Sequence, residues 1–216
     1  YEGQTIVAQF ICDANASARV TPYVCYAAAE CGVLTKFGEE TRLKQGKTTL
    51  RWEIPSLGGQ PIVRVGFAIQ FEKESPRSIV LRSLDWLGAP KQWHLTGAHL
   101  KNITDPAPFL ERMFVSSAKN FGLSLTHTLT VSHPEENGIV TFGTRDFHDY
   151  SISAEVLPQL HTRCGLVLRA RGHRAYYAAL LSGGNMLSIV RRDAAEDVVL
   201  AKTALLYAQY ESVLLT

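Results

Sequence analysis

Seven histidines stand at positions 94, 99, 127, 133, 148, 161 and 173. Zinc hydrolysis needs two of them four apart on a helix with a glutamate between, because that spacing puts both imidazoles on one face beside a general base. No pair fits. The four cysteines, Cys12, Cys25, Cys31 and Cys164, match no zinc spacing and divide unevenly between the halves, so they read as free, buried thiols rather than a disulfide framework. There is no Gly-x-Ser-x-Gly elbow, and no base is assigned to Cys164 as a nucleophile. Gly46-Lys47-Thr48 has the last three residues of a phosphate-binding loop, but position 41 is Thr where a glycine is required. The residues after Thr48 also read as strand, whereas a phosphate site needs a helix N-terminus. No cofactor and no metal are expected.

Glycoside hydrolysis requires two carboxylates facing one cleft, about 5 to 9.5 Å apart. Residues two apart on a strand would share a face at about 7 Å, yet no expected strand carries an acidic pair at that spacing. Asp146 and Asp149 flank Phe147-His148 at an odd interval and read as a solvated turn. One constellation survives. An expected strand over 165–171 places Leu166, Leu168 and Ala170 on one face and Val167, Arg169 and Arg171 on the other. A hairpin at 172–175 then puts Tyr176 on the arginine face and Tyr177 on the apolar one. Arg169, Arg171 and Tyr176 together could hold a sugar or an anion through ring stacking and forked hydrogen bonds. The alternative is a polar outer face with arginine stems packed over the ring.

The elements that would position these residues are strands. Through residues 1–90 apolar side chains recur every second residue, as in Val63, Val65, Phe67, Ile69 and Phe71, the period of extended backbone with one buried face. The same period marks 6–12, 19–27, 32–37, 50–54 and 78–86, with Gly, Pro, Asn and Ser clusters at 13–17, 44–47, 56–61 and 73–76 as turns. Gly88-Ala-Pro90 closes this first unit. Asp105-Pro106 before Phe109–Phe114 predicts one short linker helix within 91–120, Asp supplying the N-cap and Pro the first turn. The two-residue period returns over 123–132, 138–143, 150–157, 165–171, 176–182, 186–191 and 198–205, and residues 204–209 stay ambiguous. The expected architecture is all-β: two tandem antiparallel β-sandwiches, jelly-roll-like, over 1–90 and 121–216, joined by that helix.

An apolar fraction of 46% and a charged fraction of 19% in 216 residues exclude a disordered tail or a coiled coil. Net charge is +2 and no third of the chain is strongly basic, so no nucleic-acid partner is expected. Nor is a membrane, since no apolar run approaches about eighteen residues. The chain opens on Tyr1 without Met and ends on a strand-like run, which suggests a piece of a longer polypeptide. Asn15-Ala-Ser17 and Asn102-Ile-Thr104 match the glycosylation sequon without establishing secretion, and the compartment stays open with the cytoplasm slightly favoured.

Three groups of runs are less generic: Tyr1-Glu-Gly-Gln-Thr5; Gly58-Gly-Gln-Pro-Ile-Val-Arg-Val-Gly66 with Leu84-Asp-Trp-Leu-Gly-Ala-Pro90; and Phe142-Gly-Thr-Arg-Asp-Phe-His-Asp-Tyr150 with Gly165-Leu-Val-Leu-Arg-Ala-Arg-Gly172 and Tyr176-Tyr-Ala-Ala-Leu-Leu181. Together they resemble the region C-terminal to the catalytic domain in some microbial ADP-ribosylglycohydrolase family proteins. The second half also resembles the concanavalin A-like, laminin-G-type jelly rolls. The resemblance implies that hydrolase activity belongs to a helical, magnesium-binding domain of the same parent chain, so no catalytic residue carries over. It implies a non-catalytic accessory region that binds a glycan or an ADP-ribose-like group, or packs on that helical domain. It also implies further strands beyond Thr216 to complete the second sandwich. The rival readings are a glycoside hydrolase or lyase using the second sandwich and a self-associating structural module.

Overall fold

The computed structural model describes residues 1–13, 17–72, 78–135, 137–194, 196–208 and 210–216. Asn15 and Ala16 of the first sequon, the turn expected at 73–76 and Gln209 at the end of the ambiguous run lie outside the described residues. Strand makes up 53% of the chain against 6% helix, in several antiparallel sheets, so the class is all-β. The chain divides into two compact units, Tyr1–Arg112 with Gly122–Leu129 and Thr144–His148, and Met113–Phe121 with Thr130–Gly143 and Asp149–Thr216.

The first unit contains β1 (Thr5–Cys12), β2 (Ala18–Ala28), β3 (Gly32–Phe37), β4 (Thr41–Leu43), β5 (Gly46–Glu53), β6 (Ile62–Phe71) and β7 (Ile79–Leu87). One sheet runs β5-β1-β7; in the other, β2 carries β3 and β4 on one edge and β6 along the opposite edge. Strand β1 buries Ile6, Ala8, Phe10 and Cys12 and leaves the residues between them half-buried, because successive side chains of extended backbone point to opposite faces. Ala8, Phe10 and Cys12 pack with Ala18 and Val20 of β2, Leu43 and Leu50, and Ile6 packs with Val24, Ile54 and Leu57; Trp52 and Phe67 lie against both clusters. Fully burying a side chain such as Phe10 contributes about 1.5–3 kcal/mol, and its ring meets Phe67 edge-on at 5.2 Å. On β6, Val65, Phe67, Ile69 and Phe71 lie opposite Val24, Pro22, Val20 and Ala18, sharing one face as their spacing predicts, but of the four only Phe67 packs on the core and the other three stay exposed. A bulge at Cys25/Tyr26 then brings Ile62, rather than Val63, into that row.

Two helices follow, α1 (Gly97–Lys101) and α2 (Pro106–Met113). The second begins with Pro in its first turn, where the missing N–H costs nothing. The first opens at Thr96 with His99 filling the role that Glu plays in the usual capping box. Short strands come next: β8 (Val115–Ser116), β9 (Asn120–Leu123), β10 (Leu129–Ser132), β11 (Val140–Thr141) and β12 (Ala154–Val156). The single strand expected over 123–132 is interrupted because Ser124 folds the chain back. Its N–H donates to the Thr128 carbonyl at 2.9 Å and its hydroxyl meets those of Thr126 and Thr128, with His127 at φ +59°.

The body of the second unit is a four-stranded meander, β13 (Arg163–Gly172), β14 (Ala175–Ser182), β15 (Met186–Asp193) and β16 (Glu196–Ala204), while β17 (Val213–Leu215) pairs with β12. One face of the meander packs Tyr176, Ala178 and Val190 with Ile139, Val167 and Leu180. Gly165 stands opposite Leu180, where a Cβ would lie 1.9 Å from the Ala179 carbonyl oxygen, so only glycine permits that strand approach. Arg163 pairs with Ser182 at one corner of the sheet and Asp197 with Arg192 at the diagonal corner. In a flat sheet they would be about 20 Å apart along the strands and about 14 Å across them. Their ion pair therefore requires the sheet to coil strongly over its packed face.

Candidate binding site

The residues that form a hollow in the second unit are Asp149, Tyr150, Leu168, Arg169 and Tyr177, around an open concavity of about 490 Å³. A register shift builds it. Leu168 pairs with Tyr177 and Gly172 with Ala175, so Arg169, Ala170 and Arg171 occupy on β13 the stretch that Tyr176 alone occupies on β14. The surplus residues bulge, and Arg169 takes the left-handed region at φ +51°. That conformation costs about 1–2 kcal/mol for an L-residue. It is held in part by the Arg169 N–H, which donates to the Tyr150 hydroxyl oxygen at 2.9 Å. Asp149 is also left-handed, at φ +45°. Two side chains with charged ends thus enter one hollow from strained backbone, a pattern that concentrates where a site is pre-organised.

Of the three residues singled out by sequence, the structure brings only Arg169 into this hollow. Arg171 is exposed on the same bulge but is not among the lining residues. Tyr176 keeps the predicted parity with Val167, yet that face is the packed one: Tyr176 is 7% exposed, against Ala178 and Val190. Burial pushes its phenol pKa up, with the Asp197 charge adding to the shift. The aromatic residue at the hollow is its neighbour Tyr177, 40% exposed. The sequence reads Asp149 as a solvated turn residue and Tyr150 as the start of a strand over 150–157; the strand there is only β12 (Ala154–Val156), and no period marks a loop residue that closes over a strand.

Three further carboxylates, Asp197, Glu2 and Asp146, are already engaged within the structure. Asp197 accepts from Arg192 Nη1 at 3.0 Å and from Arg163, while Arg163 Nε also donates to Asn137 Oδ1 at 3.1 Å. Burial opposes ionisation of Asp197, but the two guanidinium hydrogen bonds outweigh it and hold the carboxyl below its ordinary range. In the first unit, Glu2 is buried and accepts from the N–H groups of Leu57 and Gly59 at 2.7 and 2.8 Å, the Ser56 hydroxyl and Gln92 Nε2. There too burial is the largest influence and is outweighed by hydrogen bonds, so the pKa falls. Asp146 is not a free turn residue: it accepts from Thr144 Oγ1, Trp86 Nε1 and Gln4 Nε2. Gly46, Lys47 and Thr48 lie on β5 with no helix after them. All four cysteines are free, Cys12 and Cys25 buried and Cys31 exposed. Among the described residues no group of three or more His, Cys, Asp or Glu could hold a metal ion, and no helix is long and apolar enough to cross a membrane. Asn102 donates its amide to the carbonyls of Ala29 and Ala98.

The chemistry open to the hollow is set by its donors and acceptors. A guanidinium offers planar, forked donors, a carboxylate accepts, and phenol rings present flat apolar faces with a polar rim. Such a set suits a polyhydroxylated ring with alternating polar edge and apolar face. The described lining residues of the hollow include one carboxylate, Asp149, whereas glycoside hydrolysis typically uses a pair. Comparison with protein-family models, with curated proteins and with solved structures finds no match to this chain.

Proposed function

We propose that the chain is a non-catalytic accessory region of two tandem, jelly-roll-like β-sandwiches, and that its second unit binds a saccharide or an ADP-ribose-like group at the Arg169–Tyr177 hollow. The observation that carries this reading is the convergence of Arg169, Asp149, Tyr150 and Tyr177 on one open concavity. Ring stacking on Tyr177 and forked hydrogen bonds from Arg169 would supply the affinity. The parent protein would be an ADP-ribosylglycohydrolase-like hydrolase, its chemistry residing in a separate helical domain. Isothermal calorimetry with a panel of neutral and acidic glycans and ADP-ribose tests the reading. Saturable heat that disappears in Tyr177→Ala supports it, and silence across the panel contradicts it.

A second reading, packing of the first unit on that helical domain, is favoured by a different observation. Val65, Ile69 and Phe71 on β6 and Leu81, Leu84 and Trp86 on β7 point to the core side of their sheets yet remain exposed, and both strands are sheet edges. Apolar edge surface of this kind is covered in a soluble protein or drives association. The isolated chain would then self-associate at high concentration, and Ile69→Lys would lower the sedimentation-derived mass toward that of a monomer. A monomer at all concentrations would count against it.

A further inference from the structure

The face of the meander that carries Tyr177 is covered at one end and open at the other. Leu181, two pairs along from Ala179, is fully buried. At the open end, Leu168, Tyr177, Arg191 and Val198 stand directly opposite one another in turn, one residue from each of the four strands. Opposed residues share a face, so these four form a row across the sheet. Behind it run Ala179, Ile189 and Ala201. Val198 is 42% exposed and Ile189 48%. The hollow at Arg169 is thus one end of a strip that continues over the strands.

Two properties of the strip define what fits it. Three strand spacings of about 4.8 Å make it about 14 Å long as measured along the coiled sheet, and one spacing is close to the length that one pyranose ring adds to a glycan chain. Cationic groups also stand on both sides of the Tyr177 ring, Arg169 at the bulge and Arg191 on the next strand. The carboxylate of Asp193 lies 3.8 Å from the Arg191 guanidinium and is largely exposed, a weak pairing that a stronger acceptor can displace. Val198 and Ile189 add apolar surface beyond it for further ring faces.

We propose that the ligand is an anionic glycan chain lying across the four strands, its sugar faces on Tyr177 and Val198 and its carboxylates met by Arg169 and Arg191. The proposal rests on the saccharide-binding reading of the hollow and gives that site a ligand class, a length and a direction. Charge-assisted hydrogen bonds to guanidinium are shorter and about twice as strong as neutral ones, which is the source of the preference.

The full chain is titrated by calorimetry at low salt with tetragalacturonate, with galacturonic acid monomer, with neutral xylotetraose and with ADP-ribose. Tetragalacturonate is expected to bind about tenfold more tightly than either xylotetraose or the monomer, one charge-assisted contact being worth about that factor. Arg191→Gln is expected to reduce the preference over xylotetraose to the part that Arg169 supplies, and Arg191→Lys, which keeps the charge, to retain more of it; circular dichroism establishes that both variants fold. Equal affinity for the acidic and neutral tetrasaccharides, or a preference unchanged in Arg191→Gln, overturns the proposal while leaving the hollow as a sugar site. Binding of ADP-ribose alone overturns it in favour of a nucleotide ligand. Absence of all binding removes the saccharide reading as well.

Discussion

Tyr176 and Tyr177 are neighbours in sequence with opposite physical roles, and they give the sharpest test at the level of single residues. Tyr176 fills the packed face, so Tyr176→Ala leaves a cavity and should cost about 3–5 kcal/mol of stability by denaturant titration. Tyr177 lies on the open face, so Tyr177→Ala should change stability by less than about 1 kcal/mol while abolishing ligand heat. The reverse pattern would return the site to the Arg171 and Tyr176 face. Sequence parity places each tyrosine on the correct side of β14. It cannot say which side is the core, because Val167, Ala178, Leu180 and Val190 are as apolar as Leu166, Leu168, Ala179 and Ile189.

His99 makes a second residue-level case. It is 1% exposed and its Nδ1 accepts the Thr96 N–H at 3.1 Å, which places the proton of the neutral ring on Nε2. Nε2 has no hydrogen-bond partner among the described residues. Burial, with the nearby His94 ring second, lowers its pKa from the ordinary 6.5. A base with a depressed folded pKa binds fewer protons folded than unfolded, so its stability contribution is complete above pH 6.5 and is lost as pH falls through the folded value. Asp197, lowered from 3.8, is lost in a separate and more acidic window. Urea midpoints should therefore fall as pH drops below 6.5, and His99→Gln should flatten that fall. An equal slope in the variant would assign the effect to another group.

At the level of elements, periodicity is legible in the sequence and its interruption is not. β1, β2, β5, β6 and β7 fall near where alternation predicts them, although the buried face that imposes a two-residue rule is realised on β1 and β2 and not on β6 and β7. The bulges at Cys25/Tyr26 and after Leu168 carry no such rule, and the second of them makes the site. β4 has three residues, too few to show a period, and α1, five residues long, carries no acidic residue in its first turn, its capping box using His99 at the third position. The β15–β16 turn offers a clean check of how turn geometry limits sequence. Ala194 there sits at φ +55°, a region that disfavours any Cβ. Ala194→Gly should raise stability by about 0.5–1 kcal/mol, the relief of strain exceeding the entropy that glycine adds to the unfolded chain. Thermal unfolding measures it, and a loss of stability would show that Ala194 makes compensating contacts.

Across the whole molecule, fold class is readable from composition and period, whereas the hollow is not, because it depends on a loop, a bulge and a strand that meet only after folding. The conclusion that Arg169, Asp149, Tyr150 and Tyr177 form a saccharide site can be tested even where binding is weak. An amide chemical-shift map of isotope-labelled protein, recorded while tetragalacturonate or ADP-ribose is added, reports where a ligand sits. Saturable shifts confined to residues around 149–150, 168–169 and 177, extending to 191 and 198 for the acidic glycan, are the expected result. Shifts clustered elsewhere, or none at millimolar ligand, would contradict it.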